Sequence, residues 1–229
     1  TVPSTGLSSY SGHRPRPMPP PVSPTYSEPI PDRVLSARTS KEAAMPAKTS
    51  SAPAPAADTL RLDEGAIDRA RSSLDDGAVT PSLGPWSEQI VALLNDALAT
   101  ELVCVLRYKR HHFTAHGLAS PKIAEEFMVH AQEEAGHADR LAERIVQLGG
   151  KPDFHPAHLL ERSHADYDES DDLKAMVRAN LVAERVAVES YRQMIALVAD
   201  KDPTTRRLLE DILGDEEEHA DELADMLEG

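Results

Sequence analysis

The chain has 229 residues, with 39 acidic and 24 basic side chains and a formal net charge of −15. The acidic excess lies in residues 58–229, which hold 36 acidic and 18 basic residues, whereas residues 1–57 hold three and six. So acidic a body argues against nucleic-acid binding through its own surface and favours attraction of small cations. The single cysteine, Cys104, excludes an internal disulfide and favours a reducing, cytoplasmic location. No apolar run is long enough to span a bilayer, so we expect no membrane association.

Residues 1–57 contain 12 of the 18 prolines and no apolar periodicity, which predicts a disordered tail. The chain does not begin with methionine, and Met45 would make a plausible translation start. Residues 1–44 are therefore expected to be an upstream extension or a cloning remnant. The sequence leaves open whether the tail is a docking signal for a larger compartment. Residues 58–85 are predicted to form a short helix at about 62–74 and a linker.

Four long helices are predicted over residues 86–229, an all-α pattern. Ser120 with Pro121, and Asp202 with Pro203, have the order of a helix N-cap followed by a proline in the first turn. Glycines punctuate the other ends. The predicted helices cover about 86–116, 120–148, 171–199 and 202 to nearly the end.

Two stretches, residues 133–141 and 215–223, are near copies of each other. Each contains Glu-x-x-His, which places a carboxylate and an imidazole one turn apart on the same helix face. Both side chains are metal ligands in proteins. The residues concerned are Glu134 with His137 and Glu216 with His219.

A shorter repeated pair of residues precedes each of these motifs. Glu101 and Tyr108 are seven residues apart, and so are Glu184 and Tyr191. The spacing from each of these glutamates to the next motif glutamate also agrees, at 33 and 32 residues. The chain is therefore interpreted as a duplicated pair of helices.

The candidate ligands all fall in the middle of the apolar seam of their helix, counted in steps of three and four. Four carboxylates in a bundle core would cost several kcal/mol, and no seam lysine or arginine is predicted to pair with them. Two divalent cations would balance their charge, and carboxylate with imidazole suits iron or manganese. A single Glu-x-x-His motif would more simply be a solvated acidic face, but two matched copies are not expected by chance. The predicted ligands are Glu101, Glu134, His137, Glu184, Glu216 and His219.

Several neighbours of these residues are also of interest. Tyr108 and Tyr191 are expected either to hydrogen-bond ligand carboxylates, to be redox-active or to be ordinary core residues. Glu133 and Asp215 are candidates for orienting the histidine of the opposite helix through its second nitrogen. His130, one turn before a predicted ligand, is a candidate for a transient iron site on the way to the centre. The remaining histidines are expected at the surface or in loops: His111, His112, His116, His155, His158 and His164.

The segment from Leu94 to Tyr108, together with both Glu-x-x-His motifs and Glu184, resembles the ferritin superfamily and its bacterioferritin branch over residues 86–229. The resemblance implies an all-α ferritin-like four-helix bundle with a long crossover between its second and third helices. It also implies a di-iron centre in which Glu101 and Glu184 are terminal ligands, and each histidine binds one iron. The bridging ligands would be Glu134 and Glu216.

The resemblance further implies an enzyme, a ferroxidase holding two iron ions per subunit, with manganese as the other possible metal. O₂ or H₂O₂ would oxidise Fe²⁺, with Tyr108 beside the six ligands, and ferric mineral would accumulate in a hollow homo-oligomeric cage. Bacterioferritins carry a haem-binding methionine where this chain has Ala135, so no haem is expected. Only ten residues follow His219, and residues 151–170 leave room for a short helix at about 156–164. Both features resemble the Dps-like mini-ferritins, and a cage of 12 subunits is expected rather than 24.

Three other functions remain open at this stage. The first is a rubrerythrin-like peroxidase or another di-iron oxidase that turns over substrate without storing mineral, although the chain lacks rubredoxin-type cysteine pairs. The second is a manganese catalase. The third is a DNA-protecting Dps-like nucleoid protein gripping DNA with its tail, which the acidic body opposes.

Overall fold

The computed structural model describes residues 60–228, and within that part all regular structure is helical. The predicted all-α class is confirmed, while the predicted disordered tail at 1–57 lies outside the described residues. Single 3-10 turns at Leu74–Asp76 and Gly84–Trp86 precede the bundle. The helices are α1 (Glu64–Ser72), α2 (Ser87–Thr114), α3 (Ser120–Gln147), α4 (Pro156–Arg162), α5 (Leu173–Val198) and α6 (Pro203–Glu228).

The four long helices form two antiparallel hairpins. Residues 115–119 join α2 to α3, and residues 199–202 join α5 to α6, so each pair of neighbours in sequence packs side by side. A long crossover, residues 148–172, connects the hairpins. It contains α4, which confirms the short helix predicted in the crossover.

The crossover runs along the outer side of α2. Near the start of that helix, the Asn95 side-chain oxygen accepts a hydrogen bond from the Asp153 amide at 2.8 Å. Near its end, Arg110 donates to the Ser170 carbonyl at 3.0 Å. The end of α2 therefore meets the start of α5, and α2 is covered both by the bundle and by the crossover.

Two apolar layers lie on either side of Glu101 along the bundle. Burying a side chain of leucine size contributes about 1.5–3 kcal/mol, so these layers supply most of the driving force for folding. The helices α2, α3, α5 and α6 contribute to both layers. One layer includes Leu94, Leu98, Leu141, Ile145, Met194, Leu209 and Ile212, and the other Tyr108, Phe127, Met176, Val177 and Leu223.

One of the two predicted proline-associated caps is correct. The Asp202 carboxylate accepts the amides of Thr204 and Thr205, both at 3.1 Å, and α6 begins at the next residue, as predicted. Ser120 was wrongly assigned as a cap, because it is the first residue of α3 and its hydroxyl donates to the Gly117 carbonyl at 2.8 Å. The glycine has a positive φ of 112°, which turns the chain back toward the serine.

The expectation that no arginine is buried with the carboxylates was wrong. Arg107 is fully buried, with its Nη2 3.8 Å from Glu184 Oε1. Arg144 is also buried but pairs with Asp202, outside the cluster. The seam count overlooked Arg107 because it assumed that only one face of α2 is covered, whereas the crossover covers a second.

The expectation that no apolar run is long enough to span a bilayer also needs correction. Within residues 60–228, the stretch Gly84–Thr114 passes that test by length and composition. This is weak evidence for a membrane span, since 61% of the apolar window is buried inside the bundle and core helices commonly pass the same test.

The ion pair between Asp202 and Arg144 gives a test of the α6 start. Arg144 donates to both carboxylate oxygens, at 3.0 and 2.8 Å. Burial alone raises the pKa of Asp202, but hydrogen bonds from Thr205 and Arg144 outweigh it and lower the pKa below its ordinary value. A depressed pKa contributes stability that is present above the unfolded value of about 4 and is lost as the pH falls through the folded value.

Asp202→Asn keeps a good capping side chain but leaves Arg144 as a buried unpaired charge, so we expect it to lower the free energy of unfolding by about 3 kcal/mol at pH 7. The difference from wild type should shrink as the pH falls below about 4. Urea unfolding at several pH values measures it. Asp172→Asn, at the exposed cap of α5, is the matched control and should cost only a few tenths of a kcal/mol. Equal losses for both variants would contradict the role of the buried pair.

Candidate metal centre

The six predicted ligands come together in the middle of the bundle, although they lie on four different helices. Each is buried, with an exposed fraction of 4% or less. Their positions follow from the seams, because α2 and α5 each contribute one glutamate while α3 and α6 each contribute a Glu-x-x-His pair. The residues are Glu101, Glu134, His137, Glu184, Glu216 and His219.

These residues form two overlapping groups of four. In each group one oxygen or nitrogen atom per residue lies within 4.8 Å of the others. Glu134 and Glu216 belong to both groups, so their carboxylates lie between two possible cation positions. The first group adds Glu101 and His137, and the second adds Glu184 and His219.

Several atoms of the cluster satisfy no hydrogen bond. Within residues 60–228, they include Glu134 Oε1, Glu184 Oε2, Glu216 Oε2 and His219 Nδ1. A buried polar atom without a partner costs about 1–3 kcal/mol, and more when it is charged. The donor set of carboxylates and imidazoles is the one that binds iron or manganese, so these residues fit a pair of such cations.

The pKa values of most groups in the cluster are shifted toward the protonated form, whereas for Glu134 burial is outweighed by hydrogen bonds from its neighbours, which lower its pKa. Burial, reinforced by repulsion from Glu134, raises the pKa of the Glu184 and Glu216 carboxyls, as it does for Glu101. Burial would also lower the pKa of His219, but hydrogen bonds and attraction from Glu134 raise it to about 9. These shifts favour proton binding by the cluster, and a cation would compete with protons for the same atoms.

Each of the two tyrosines hydrogen-bonds to a glutamate in the other duplicated half of the chain. Tyr108 of α2 donates a hydrogen bond to Glu184 Oε1 of α5 at 2.5 Å. Tyr191 of α5 donates in the same way to Glu101 Oε1 of α2. The predicted contact with ligand carboxylates is therefore present, and each tyrosine holds the glutamate of the other half.

The two histidines are also held from the opposite helix, as predicted. The distance from His137 Nε2 to Asp215 Oδ2 is 3.1 Å, and that from His219 Nε2 to Glu133 Oε2 is 2.9 Å. A carboxylate at Nε2 fixes the proton on that nitrogen and leaves Nδ1 to face the cluster. Both rings are thus oriented for binding through Nδ1.

His130 extends this arrangement outward from the His219 half. Its ring stacks on that of His219 with centroids 4.1 Å apart, and its Nδ1 lies 3.1 Å from the Tyr108 hydroxyl. Its Nε2 lies 2.9 Å from Glu222. A cavity of about 200 Å³ opens beside these residues, and its lining includes Glu126, Glu133, Asp215, Glu218, His219 and Glu222. The role of His130 as a transient iron site stays a prediction.

Sequence reasoning missed a polar network that reaches the cluster from the crossover. Arg107 lies 3.8 Å from Glu184 and donates to Asn180 at 2.8 Å. His111, predicted at the surface, is fully buried beside Asn180. The signal that could have indicated this network is the polar character of Arg107, Asn180 and His111 on helix faces that the crossover covers. Of the other histidines predicted at the surface or in loops, none is buried within residues 60–228.

The chain is similar to known proteins in sequence as well as in fold. The ferritin-like domain matches residues 91–229. The nutrient stress-induced DNA-binding protein of Synechococcus sp. is 35% identical over 144 residues, covering 62% of this chain and 82% of that protein. The bacterioferritin of Mycobacterium avium is 28% identical over 141 residues, covering 61% and 84%.

Among solved structures, a dodecameric thioferritin from Bacteroides fragilis matches with a TM-score of 0.60 and 27% identity, covering 72% of this chain and 93% of that one. Dps from Thermosynechococcus elongatus matches with a TM-score of 0.59 and 22% identity over 61% and 90%, a likeness of fold alone. With the family domain spanning most of the four-helix bundle, the chain belongs to the ferritin-like family.

Proposed function

We propose that this protein oxidises Fe²⁺ at a centre inside each bundle and stores the ferric product, as an iron-storage and detoxification protein. The observation that carries the proposal is the pair of buried four-residue groups that share Glu134 and Glu216. Two carboxylates common to both groups would hold two cations side by side. Two neighbouring Fe²⁺ ions can then deliver two electrons to one oxidant molecule.

The reaction balances with either oxidant. With O₂, two Fe²⁺ give up two electrons and two protons are taken up, so that two Fe³⁺ and H₂O₂ result. With H₂O₂, the O–O bond breaks and two waters form from the same two electrons and two protons. The chain itself contributes the positions of the reacting ions, and the outer acids Glu133 and Asp215 keep both imidazoles oriented.

Iron is the proposed metal and manganese the alternative, since both suit this donor set. Ala135 stands at the position that a haem-binding methionine takes in the bacterioferritins, so the absence of haem stays a prediction. Cys104 is buried and unpaired, in keeping with the proposed cytoplasmic location.

We expect Glu134→Ala to abolish rapid Fe²⁺ oxidation, because that carboxylate belongs to both cation positions, and His219→Ala to slow it by at least about tenfold. Stopped-flow absorbance with O₂ and with H₂O₂, after anaerobic loading with Fe²⁺, measures both. Glu143→Ala, an exposed glutamate on the same helix as Glu134, is the control and should oxidise iron at the wild-type rate. Unchanged kinetics in Glu134→Ala would remove the site assignment.

The same samples separate storage from simple turnover. Iron retained after gel filtration should far exceed two ions per chain in the wild type. Repeated oxidation with only about two ions retained would instead favour a rubrerythrin-like peroxidase or another di-iron oxidase.

A closed cage of 12 subunits is the proposed assembly. The support is the helix α4 within the crossover, together with the likeness to the Bacteroides fragilis thioferritin, which is dodecameric. Native mass spectrometry should give roughly twelve times the 24.9-kDa chain. A mass near that of a monomer or dimer would refute the cage.

DNA protection is the second candidate function, because the Synechococcus relative is named a DNA-binding protein. Residues 58–229 oppose it with twice as many acidic as basic side chains. We expect no mobility shift of duplex DNA at about 150 mM salt, where non-specific electrostatic binding is strongly weakened. A shift that persists at this salt concentration would support the second candidate.

A further inference from the structure

The centre has two halves, Glu101 with His137 and Glu184 with His219. Their surroundings are nearly the same, so a difference between them is informative. Each terminal glutamate accepts a hydrogen bond from a tyrosine, and each histidine contacts an outer carboxylate. The residue before each tyrosine breaks this correspondence. Arg107 precedes Tyr108, whereas Ser190 precedes Tyr191.

Arg107 is a fully buried cation at the edge of one half only. Its Nη2 lies 3.8 Å from Glu184 Oε1, and both side chains are 0% exposed. Among the described residues, no lysine or arginine lies within 4.0 Å of the equivalent Glu101 carboxylate. Arginine keeps its charge in proteins, so the positive charge beside Glu184 is permanent.

The guanidinium is fixed in place by other contacts. Nε donates to Asn180 Oδ1 at 2.8 Å, and Nη1 donates to the Asp166 carbonyl of the crossover at 3.1 Å. The amide nitrogen of Asn180 lies 3.1 Å from His111 Nδ1, and His111 Nε2 lies 3.2 Å from Asp168. Glu184 is the carboxylate nearest to this guanidinium, but it is one of several groups that hold the arginine.

Most of the remaining charged groups near the two halves are matched or exposed. The unmatched ones are His130, which stacks on the His219 ring, and its acidic neighbours Glu126 and Glu222. Asp215 beside His137 corresponds to Glu133 beside His219. Arg140 lies 3.8 Å from Asp215 but is 39% exposed, so solvent screens it. Arg107 is the permanent charge that lies buried against one half, and charges interact more strongly away from water.

We propose that Arg107 makes the two cation positions unequal by weakening the one formed with Glu184 and His219. The first divalent cation then binds with Glu101 and His137, and the second binds more weakly beside the arginine. This inference rests on the two-cation centre of the proposed function. The weaker position also lies next to the cavity outside the cluster, because that cavity is lined by His219 and not by His137. The position that releases its ion more readily is the one beside the opening.

Anaerobic calorimetric titration of the assembled protein with Co²⁺ tests the proposal without any oxidation step. The wild type should bind two ions per chain in two steps whose dissociation constants differ by at least about tenfold. His137→Ala should remove the tight step, and His219→Ala the weak one. These two variants assign the order of binding independently of any change at Arg107.

Arg107→Gln removes the charge and keeps a polar partner for Asn180, so the weak step should tighten by about tenfold or more and the two steps should merge. Arg107→Lys restores a positive charge and should restore the separation. Arg144→Met is the control, since that buried arginine pairs with Asp202 and not with the cluster. It should lower stability while leaving both steps unchanged.

Two results would overturn the inference while leaving the proposed function intact. One is a wild-type separation between the steps that persists in Arg107→Gln. The other is loss of the tight step in His219→Ala. A wild type that binds no pair of Co²⁺ ions would refute the two-cation centre, and the inference with it.

Discussion

The crowding of four buried carboxyl groups at mid-bundle is the constraint on which the surrounding structure depends. Such groups repel one another and lose their hydration, and either effect alone would destabilise a core. Three kinds of neighbouring contact counter this cost. Two imidazoles lie beside the carboxylates, tyrosine hydroxyls donate to Glu184 and Glu101, and one guanidinium lies against Glu184. Even so, several carboxylate oxygens satisfy no hydrogen bond, which is the condition that a bound cation relieves.

The apolar layers on both sides of the cluster allow the bundle to tolerate this cost. They bring together side chains from all four long helices, so folding is driven by hydrophobic burial that does not involve a metal. This separates the present centre from small structural zinc sites, whose domains unfold without their metal. The proposed function, in which ions enter and leave the centre, requires that separation. The destabilising effect of the buried charge falls on the centre, whereas the apolar layers stabilise the fold on either side of it.

The clustering of the six candidate ligands could be predicted because helix periodicity and duplication act on the same residues. Counting apolar residues in steps of three and four gives the buried face of a helix that is packed on one side. The repeat of the motif supports the assignment of that face. The same count failed at Arg107 and His111, because α2 is covered by the crossover as well as by the bundle. The local sequence does not indicate which helix a long connection will pack against. The start of α6 after Asp202 could be predicted from local chemistry. The cap assigned to Ser120 was wrong, since its hydroxyl donates to the Gly117 carbonyl instead.

The crossover also explains why a duplicated chain need not give a symmetrical centre. Two identical hairpins would give both cation positions the same surroundings. The single connection between the hairpins, however, can cover only one side of the bundle. Here it lies along α2 and contributes the Asp166 carbonyl that holds Arg107. The matching position on α5, Ser190, instead borders an open groove between α5 and α6. A feature usually regarded as a mere linker thus sets a buried charge beside one half of the centre. Duplication supplies the pair of positions, and the connection between the copies makes them different.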